Sequence, residues 1–253
     1  MQSVSVFASV LGYFLLGIFT LRAGFGILAW RSAEKLEKPS YKVIGKQDGV
    51  ELRSYSPYVI AEVVSNGNTM KKANSAGFRK IAGYIFGKNR ERTGFFKKAG
   101  PCKMKMTAPV RTELAEKNTR KKYSLSFVMS DKYPLSKLPI PDDKSVKLRK
   151  IPAHFMAVKS FSGPPPDENT VAKFRADIMK VLNDNGISHS FLSNDKTFLY
   201  QYHDPFATPN FLRKNEVGVT LSKKGAAAVY MAQRAQQIQL QQQMQGNKES
   251  AKE

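Results

Sequence analysis

Val50-Glu-Leu-Arg53, followed by Tyr58-Val-Ile-Ala61, returns with unchanged spacing as Val146-Lys-Leu-Arg149, followed by His154-Phe-Met-Ala157. A unit stated twice fixes an architecture before any functional motif is considered. Each copy leads into an amphipathic helix. In the first, Asn68 is placed to cap a helix with Met70, Ala73, Gly77, Ile81 and Tyr84 on one side. In the second, Asp167 opens a helix carrying Val171, Phe174, Ile178 and Val181, and Asn185-Gly186 stops it. Strand-like runs follow at 123–129, then at 197–202 and 216–221. The expectation is an α+β domain: two β-α-β-β units sharing a curved, barrel-like sheet with two packed helices.

Outside the repeat the chain changes character twice. Val4 to Leu21 holds no charged residue, and at about 1.5 Å per helical residue it covers roughly 27 Å; continuation to Trp30 exceeds a bilayer core. No Lys or Arg precedes Arg22, as a secretory signal would require, and the run is not the Arg/Ser amphipathic helix of a presequence. Residues 1–38 therefore read as an uncleaved transmembrane anchor and linker, with residues 4–30 in contact with the bilayer. The cations at Arg22, Arg31, Lys35 and Lys38 put the remainder on the cytosolic, matrix or stromal side. Residues 39–222 form the globular domain. Residues 223–253 read as an Ala/Gln-rich helix that fades into a polar, disordered end from Gly246.

Composition narrows the function classes. With 42% hydrophobic and 24% charged residues, wholesale disorder is excluded. One cysteine, Cys102, permits neither an intrachain disulfide nor a thiolate zinc site. A formal charge of +21 selects acidic partners. Eleven Lys or Arg against three Glu between Arg90 and Lys122 concentrate that charge, read as a patch for acidic ligands, anionic lipid or an acidic subunit. No nucleic-acid recognition motif accompanies it, so nucleic acid is not expected as a partner. High pI also accompanies proteins of mitochondrial compartments, which keeps an inner-membrane setting among the options. The sequence carries no Gly-x-Ser-x-Gly elbow, phosphate loop or His-Glu-x-x-His. Asp142-Asp143 and Asp167-Glu168 are explained by turns and capping, and no enzymatic activity is expected.

Several strings, in order over 41–221, resemble one known family. They are Tyr41-x-Val43; Val50-Glu-Leu-Arg-Ser-Tyr55 with Pro57; Gly77-Phe78 leading to Tyr84-Ile-Phe-Gly87 and Asn89; and Lys105-Met-Thr-Ala-Pro-Val110. Leu138-Pro-x-Pro141, Val158 leading to Phe161-Ser-Gly163, and Arg213-Lys-Asn-Glu-Val217 complete the set. Together they resemble the SOUL haem-binding family, with Ser130 departing from a common Pro. The resemblance implies a distorted β-barrel like that of bacterial effector-binding domains, and weak binding of haem or another tetrapyrrole in a shallow apolar groove beside the first helix. Phe78, Ile81, Ala82 and Ile85 would offer apolar area, Arg79 and Lys80 cations for propionates, and Met104 and Met106 soft contact. The loop with His203, Pro205 and Phe206 would close over the groove. No metal-ligand residue is assigned: His154, His189 and His203 read as ordinary histidines, and Cys102 follows its proline rather than preceding it. Two readings of function result. One is a membrane-anchored haem-binding protein that buffers, carries or senses the ligand. The other is a non-catalytic accessory subunit of a membrane protein complex that uses the domain as a structural module.

Overall fold

The computed structural model describes residues 20, 22–65, 69–92, 100–117 and 120–250. Helix α1 covers residues 22–34. The domain follows as β1 (Tyr41–Gln47), β2 (Val50–Tyr55), β3 (Tyr58–Ser65), α2 (Met70–Ile85), β4 (Asn89–Arg90), β5 (Val110–Lys117) and β6 (Arg120–Val128). Then come β7 (Ile140–Pro141), β8 (Lys147–Ile151), β9 (His154–Phe161), α3 (Glu168–Asp184), β10 (Leu192–Gln201), β11 (Asn215–Leu221) and α4 (Lys223–Ser250). Among the described residues nine strands form one antiparallel sheet in the order β1-β2-β9-β11-β10-β5-β6-β3-β8; β4 and β7 pair separately.

The repeat explains that order. Leu52 pairs with Ala157 while Ala61 pairs with Leu148, and Tyr55 pairs with His154 while Tyr58 pairs with Ile151. Each copy has thus given its first strand to the other, and the sheet is pseudo-symmetric about the central β10–β5 pair. The unit is consequently β-β-α-β-β, not β-α-β-β. The reading at sequence level missed β5 because Arg111 and Glu113 interrupt its apolar run, yet both are buried.

Connection lengths dictate curvature. β2 and β3 stand six strand positions apart, about 29 Å in a flat sheet, yet only Ser56 and Pro57 join them, a reach of at most about 11 Å. The sheet must curl until its ends meet, and there Tyr55 stacks on His154, centroids 5.2 Å apart, while Tyr58 meets both rings at an angle. The barrel expectation holds only to this extent. Among the described residues β1 and β8 remain edges, and no hydrogen-bonded pair closes the ring.

Strand alternation gives the sheet two different faces. Leu52, Ala157, Leu199, Val217 and Val219 meet α3 and α4, and Ala61, Val63, Leu125 and Phe127 meet α2. The opposite face carries Tyr55, Met156, Val158, Phe198, Tyr200 and Tyr202, covered by the curl and by Leu36 and Tyr41. Every residue assigned to the buried face of α2 lies there, from Met70 to Tyr84. Its cap is Thr69, whose hydroxyl accepts from Lys72 N; Asn68 lies outside the described residues. On α3, Asp167 caps as expected, accepting from Thr170 N at 2.8 Å, and Gly186 ends it with φ +73°. Phe174 and Val181 are only half-buried, and Leu182 completes the core face.

The C-terminal helix differs from its expectation in length and in docking. It continues to Ser250 rather than ending near Gly246, and Ala226 and Val229 are buried in the α3 core. Gly225 is required for that docking. A Cβ there would lie 2.6 Å from the Phe191 carbonyl oxygen and 2.8 Å from Phe191 Cβ. Gly225→Ala is expected to cost on the order of 1–3 kcal/mol and to free α4 for proteolysis; an unchanged urea midpoint and cleavage pattern would refute the contact.

Among the described residues no helix is long and apolar enough to cross a membrane. The expected anchor, Val4 to Leu21, lies outside them except for Thr20.

Candidate functional site

Helix periodicity divides the outward surface of α2 into two flanks. Phe78, Ala82 and Phe86, four residues apart, run up one flank at about 40° drift per step. Phe78 is 43% and Phe86 56% exposed, although both are large and apolar. Phe78 rests on Phe127, ring centroids 5.4 Å apart. Arg79 projects beside this stripe and is exposed. Lys80 sits on the other flank, donating to Ser145 Oγ at 3.0 Å and facing Asp143 at 3.8 Å. There a depression of about 310 Å³ is lined by Ala76, Arg79, Lys80, Lys88, Asp142 and Asp143.

Ile81 and Ile85 correct the expectation of a groove floor. They are 0% and 1% exposed, packed between α2 and the sheet with Met104. The reason is angular: residues 77, 81, 84 and 85 fall within one arc of about 100° that meets the sheet, beside the outward stripe. Met104 is buried too, and Met106 is half-buried against the same cluster. Phe86 was overlooked at sequence level. Its place in the four-residue series Phe78, Ala82, Phe86 is the signal the sequence offers.

The segment 102–106 is fastened to this helix end by Asn89. Its side-chain amide donates to Tyr84 O at 2.5 Å and Cys102 O at 2.7 Å, while its oxygen accepts from Cys102 N at 2.9 Å. Met104 N donates to Ile85 O at 2.9 Å. Burial pushes the Cys102 thiol above its ordinary value, so it stays a neutral thiol.

The loop 203–206 serves another element. His203 Nδ1 accepts from Lys214 N at 3.0 Å, so its proton sits on Nε2, which donates to Glu34 of α1 at 3.0 Å. Both ring nitrogens are engaged and neither faces α2. Pro205 is exposed, and its carbonyl accepts from Arg213 Nη2. Phe206 is 91% exposed. A loop gripping α1 does not form a lid over the α2 stripe, contrary to the expectation. His154 Nδ1 donates to Pro152 O at 2.9 Å, and burial lowers its pKa. The His189 side chain lies outside the described residues. No three His, Cys, Asp or Glu side chains among the described residues cluster as metal ligands would.

The basic stretch from Arg90 to Lys122 is not one surface patch. Arg111 is interior, 4.4 Å from the Phe198 ring, bonded to Glu113 and Ser126. Arg92 donates to Leu138 O, and Arg90 pairs with Asp142. Lys97 and Lys98 lie outside the described residues.

Two of the distinctive strings meet inside the sheet. Arg53 makes a two-pronged contact with Glu216, at 2.8 and 2.9 Å, and also bonds Glu51. Glu216 further accepts from Tyr202 at 2.7 Å and Ser160 at 3.0 Å. Burial alone would raise the Glu216 pKa, but hydrogen bonds and charge from Arg53, aided by Lys214 and Tyr202, hold it at about 2. These residues satisfy one another within the sheet.

Comparison with known proteins agrees in part. No curated protein matches the chain. Among solved structures, a hydrolase from Listeria innocua is similar at 13% identity and TM-score 0.45, over 70% of this chain and 94% of that one. The C-terminal domain of EcmrR is similar at 11% identity and TM-score 0.44, over 72% and 98%. Likeness at this level carries no argument about activity. The decisive match is to the family model described as SOUL heme-binding protein, over residues 36–220. That stretch contains the repeat, the Arg53–Glu216 pair and α2, and the chain belongs to the SOUL haem-binding family.

Proposed function

We propose that the protein is a membrane-anchored, non-catalytic tetrapyrrole-binding module whose ligand lies flat on the Phe78–Ala82–Phe86 stripe of α2. The observation that carries this reading is the exposure of two phenylalanines on the outward flank of a helix whose other face is fully packed. From Phe78 to Phe86 the rise is about 12 Å, comparable to the breadth of one macrocycle. A bound tetrapyrrole supplies a flat apolar face and two carboxylates. Phe78, Ala82 and Phe86 would hold the face, Met106 its edge, and Arg79 and Lys88 the carboxylates. With both nitrogens of His203 committed, binding rests on area and charge, which suits a weak, exchangeable complex for buffering, carriage or sensing.

The anchor is Val4 to Leu21, with bilayer contact continuing at the interface to residue 30 and the domain on the cytosolic, matrix or stromal side. Binding is tested by haemin titration of the full chain in lipid nanodiscs against empty discs. Phe78→Asp with Phe86→Asp is expected to weaken binding about ten-fold or more, whereas His203→Ala leaves the Soret band unchanged. Superimposable titrations for the double variant and wild type would refute the site.

One observation favours the accessory-subunit reading. α4 spans 28 residues, about 42 Å, and beyond Val229 its Met231, Ile238 and Met244 side chains are exposed. Truncation after Val229 separates the readings, since it releases a co-purifying subunit and leaves haemin binding intact.

A further inference from the structure

We infer that α1 and the loop between β10 and β11 form a second membrane-contact surface, which lays Phe206 and Phe211 into the headgroup region of an anionic bilayer. This deepens the reading of Val4 to Leu21 as an anchor and rests on it.

The loop holds its aromatic rings outward by a rigid polar frame. Phe206 is 91% and Phe211 77% exposed. Asp204 Oδ1 accepts from both Phe206 N and Ala207 N at 2.7 Å. Arg213 Nε donates to Thr208 O at 2.7 Å, and its Nη2 donates to Pro205 O. His203 bridges Lys214 N and Glu34. A loop so constrained cannot fold its phenylalanines back onto the core. Their exposure to water is a standing cost that an apolar neighbour would relieve.

Position identifies that neighbour as lipid. Gly26 of α1 lies directly on the loop; a Cβ there would stand 2.8 Å from Pro209 Cδ and 3.3 Å from Ala207 O. Gly26 follows Arg22, the first residue past the apolar run, by four residues, a helical rise of about 6 Å. That is the depth of one headgroup layer. At the same level of α1, Phe25 is 68% and Leu28 61% exposed. Arg22, Arg31 and Lys35 are exposed around them. Aromatic rings and cations at the end of an apolar span are the composition of a bilayer interface. The arrangement would hold the domain against the membrane in one orientation instead of letting it swing on residues 35–40.

The test uses the full chain in vesicles of equal parts phosphatidylcholine and phosphatidylserine, with bromine on the upper acyl carbons. Phe206→Trp in a Trp30→Phe background leaves residue 206 with the only indole, since Trp30 is the only native tryptophan. Asn194→Trp in the same background reports from the opposite end of β10. The 206 indole is expected to shift to the blue and lose most of its emission to bromine, while the 194 indole stays at its aqueous wavelength. Full emission from 206 on chains that float with the vesicles would overturn the proposal. So would a blue shift without bromine quenching, which would mean that a second copy or another protein covers the loop. An alkaline carbonate wash separates the two readings. Quenching at neutral pH with release into carbonate upholds the docking surface and ends the anchor; retention without quenching does the reverse, and failure to float ends both.

Discussion

Glu216→Ala is expected to destabilise the domain by about 3–5 kcal/mol, a large share of a typical stability of about 5–15 kcal/mol. Glu216 is completely buried, and Arg53 is 2% exposed at its side chain. Removing the carboxylate leaves a guanidinium without its main counter-charge and leaves the Tyr202 hydroxyl without its acceptor. Glu51 remains at 2.7 Å and softens the loss. Arg53→Met with Glu216→Met removes both charges and is expected to recover most of the stability, because the desolvation cost disappears with them. Urea denaturation of the three variants measures the effect. A double variant as unstable as Glu216→Ala would show that the pair's geometry, not its charge, is what the sheet requires.

The same carboxylate predicts an acid limb of stability. Its pKa falls from an ordinary 4.5 to about 2 in the folded protein. A group with a depressed folded pKa contributes its stabilisation above the unfolded value and loses it as pH falls through the folded one. The loss therefore runs from about pH 4.5 down to about pH 2 and totals about 3 kcal/mol for this group. The methionine pair should flatten that limb. An identical acid limb in wild type and the double variant would assign it to other carboxylates.

Ile81→Asp is the second large effect. Ile81 has no exposed surface and packs among Ala61, Leu125 and Phe127. A carboxylate in that position is unpaired and desolvated, a cost of several kcal/mol. The expected result is loss of the folded domain. Phe78→Asp, three residues earlier but on the outward flank, is expected to cost about 1 kcal/mol through its lost contact with Phe127. Far-ultraviolet circular dichroism melts of the two variants compare the flanks. Equal melts would mean that α2 is rotated about its axis, and the proposed stripe would go with it. The contrast also shows why Ile81 is unsuitable for testing binding: its substitution removes the site by removing the fold.

How much of the site was legible follows from what each residue's position depends on. Phe78, Arg79 and Ala82 are outward-facing, as a groove contact must be. Ile81 and Ile85 were assigned to the groove because helical spacing reveals an apolar stripe without saying which of two adjacent stripes meets the sheet. Lys80 lies beyond the helix edge, where Asp143 and Ser145 hold it, and no local pattern joins residue 80 to residue 145. His203 and Phe206 were joined to α2 by the resemblance alone. Their loop instead meets α1 through Gly26 and Glu34, a contact between segments far apart in the chain.

The repeat, the two amphipathic helices, the buried face of α2, the α3 cap and stop, and the membership of the family all follow from the sequence, since each is carried by short strings of residues. The strand exchange between copies, the curl of the sheet, the neutralisation of Glu216 by Arg53 and the outward hold on Phe206 were decided only in three dimensions. The physical reason is common to all four. A strand's alternation states that it has two faces but not which partner lies beside it, and a charged residue reads as surface until its counter-charge arrives from another part of the chain. Arg111 and Glu113 show both effects: charged side chains concealed β5 in the sequence, and burial against Phe198, Ser126 and each other made it a central strand of the sheet.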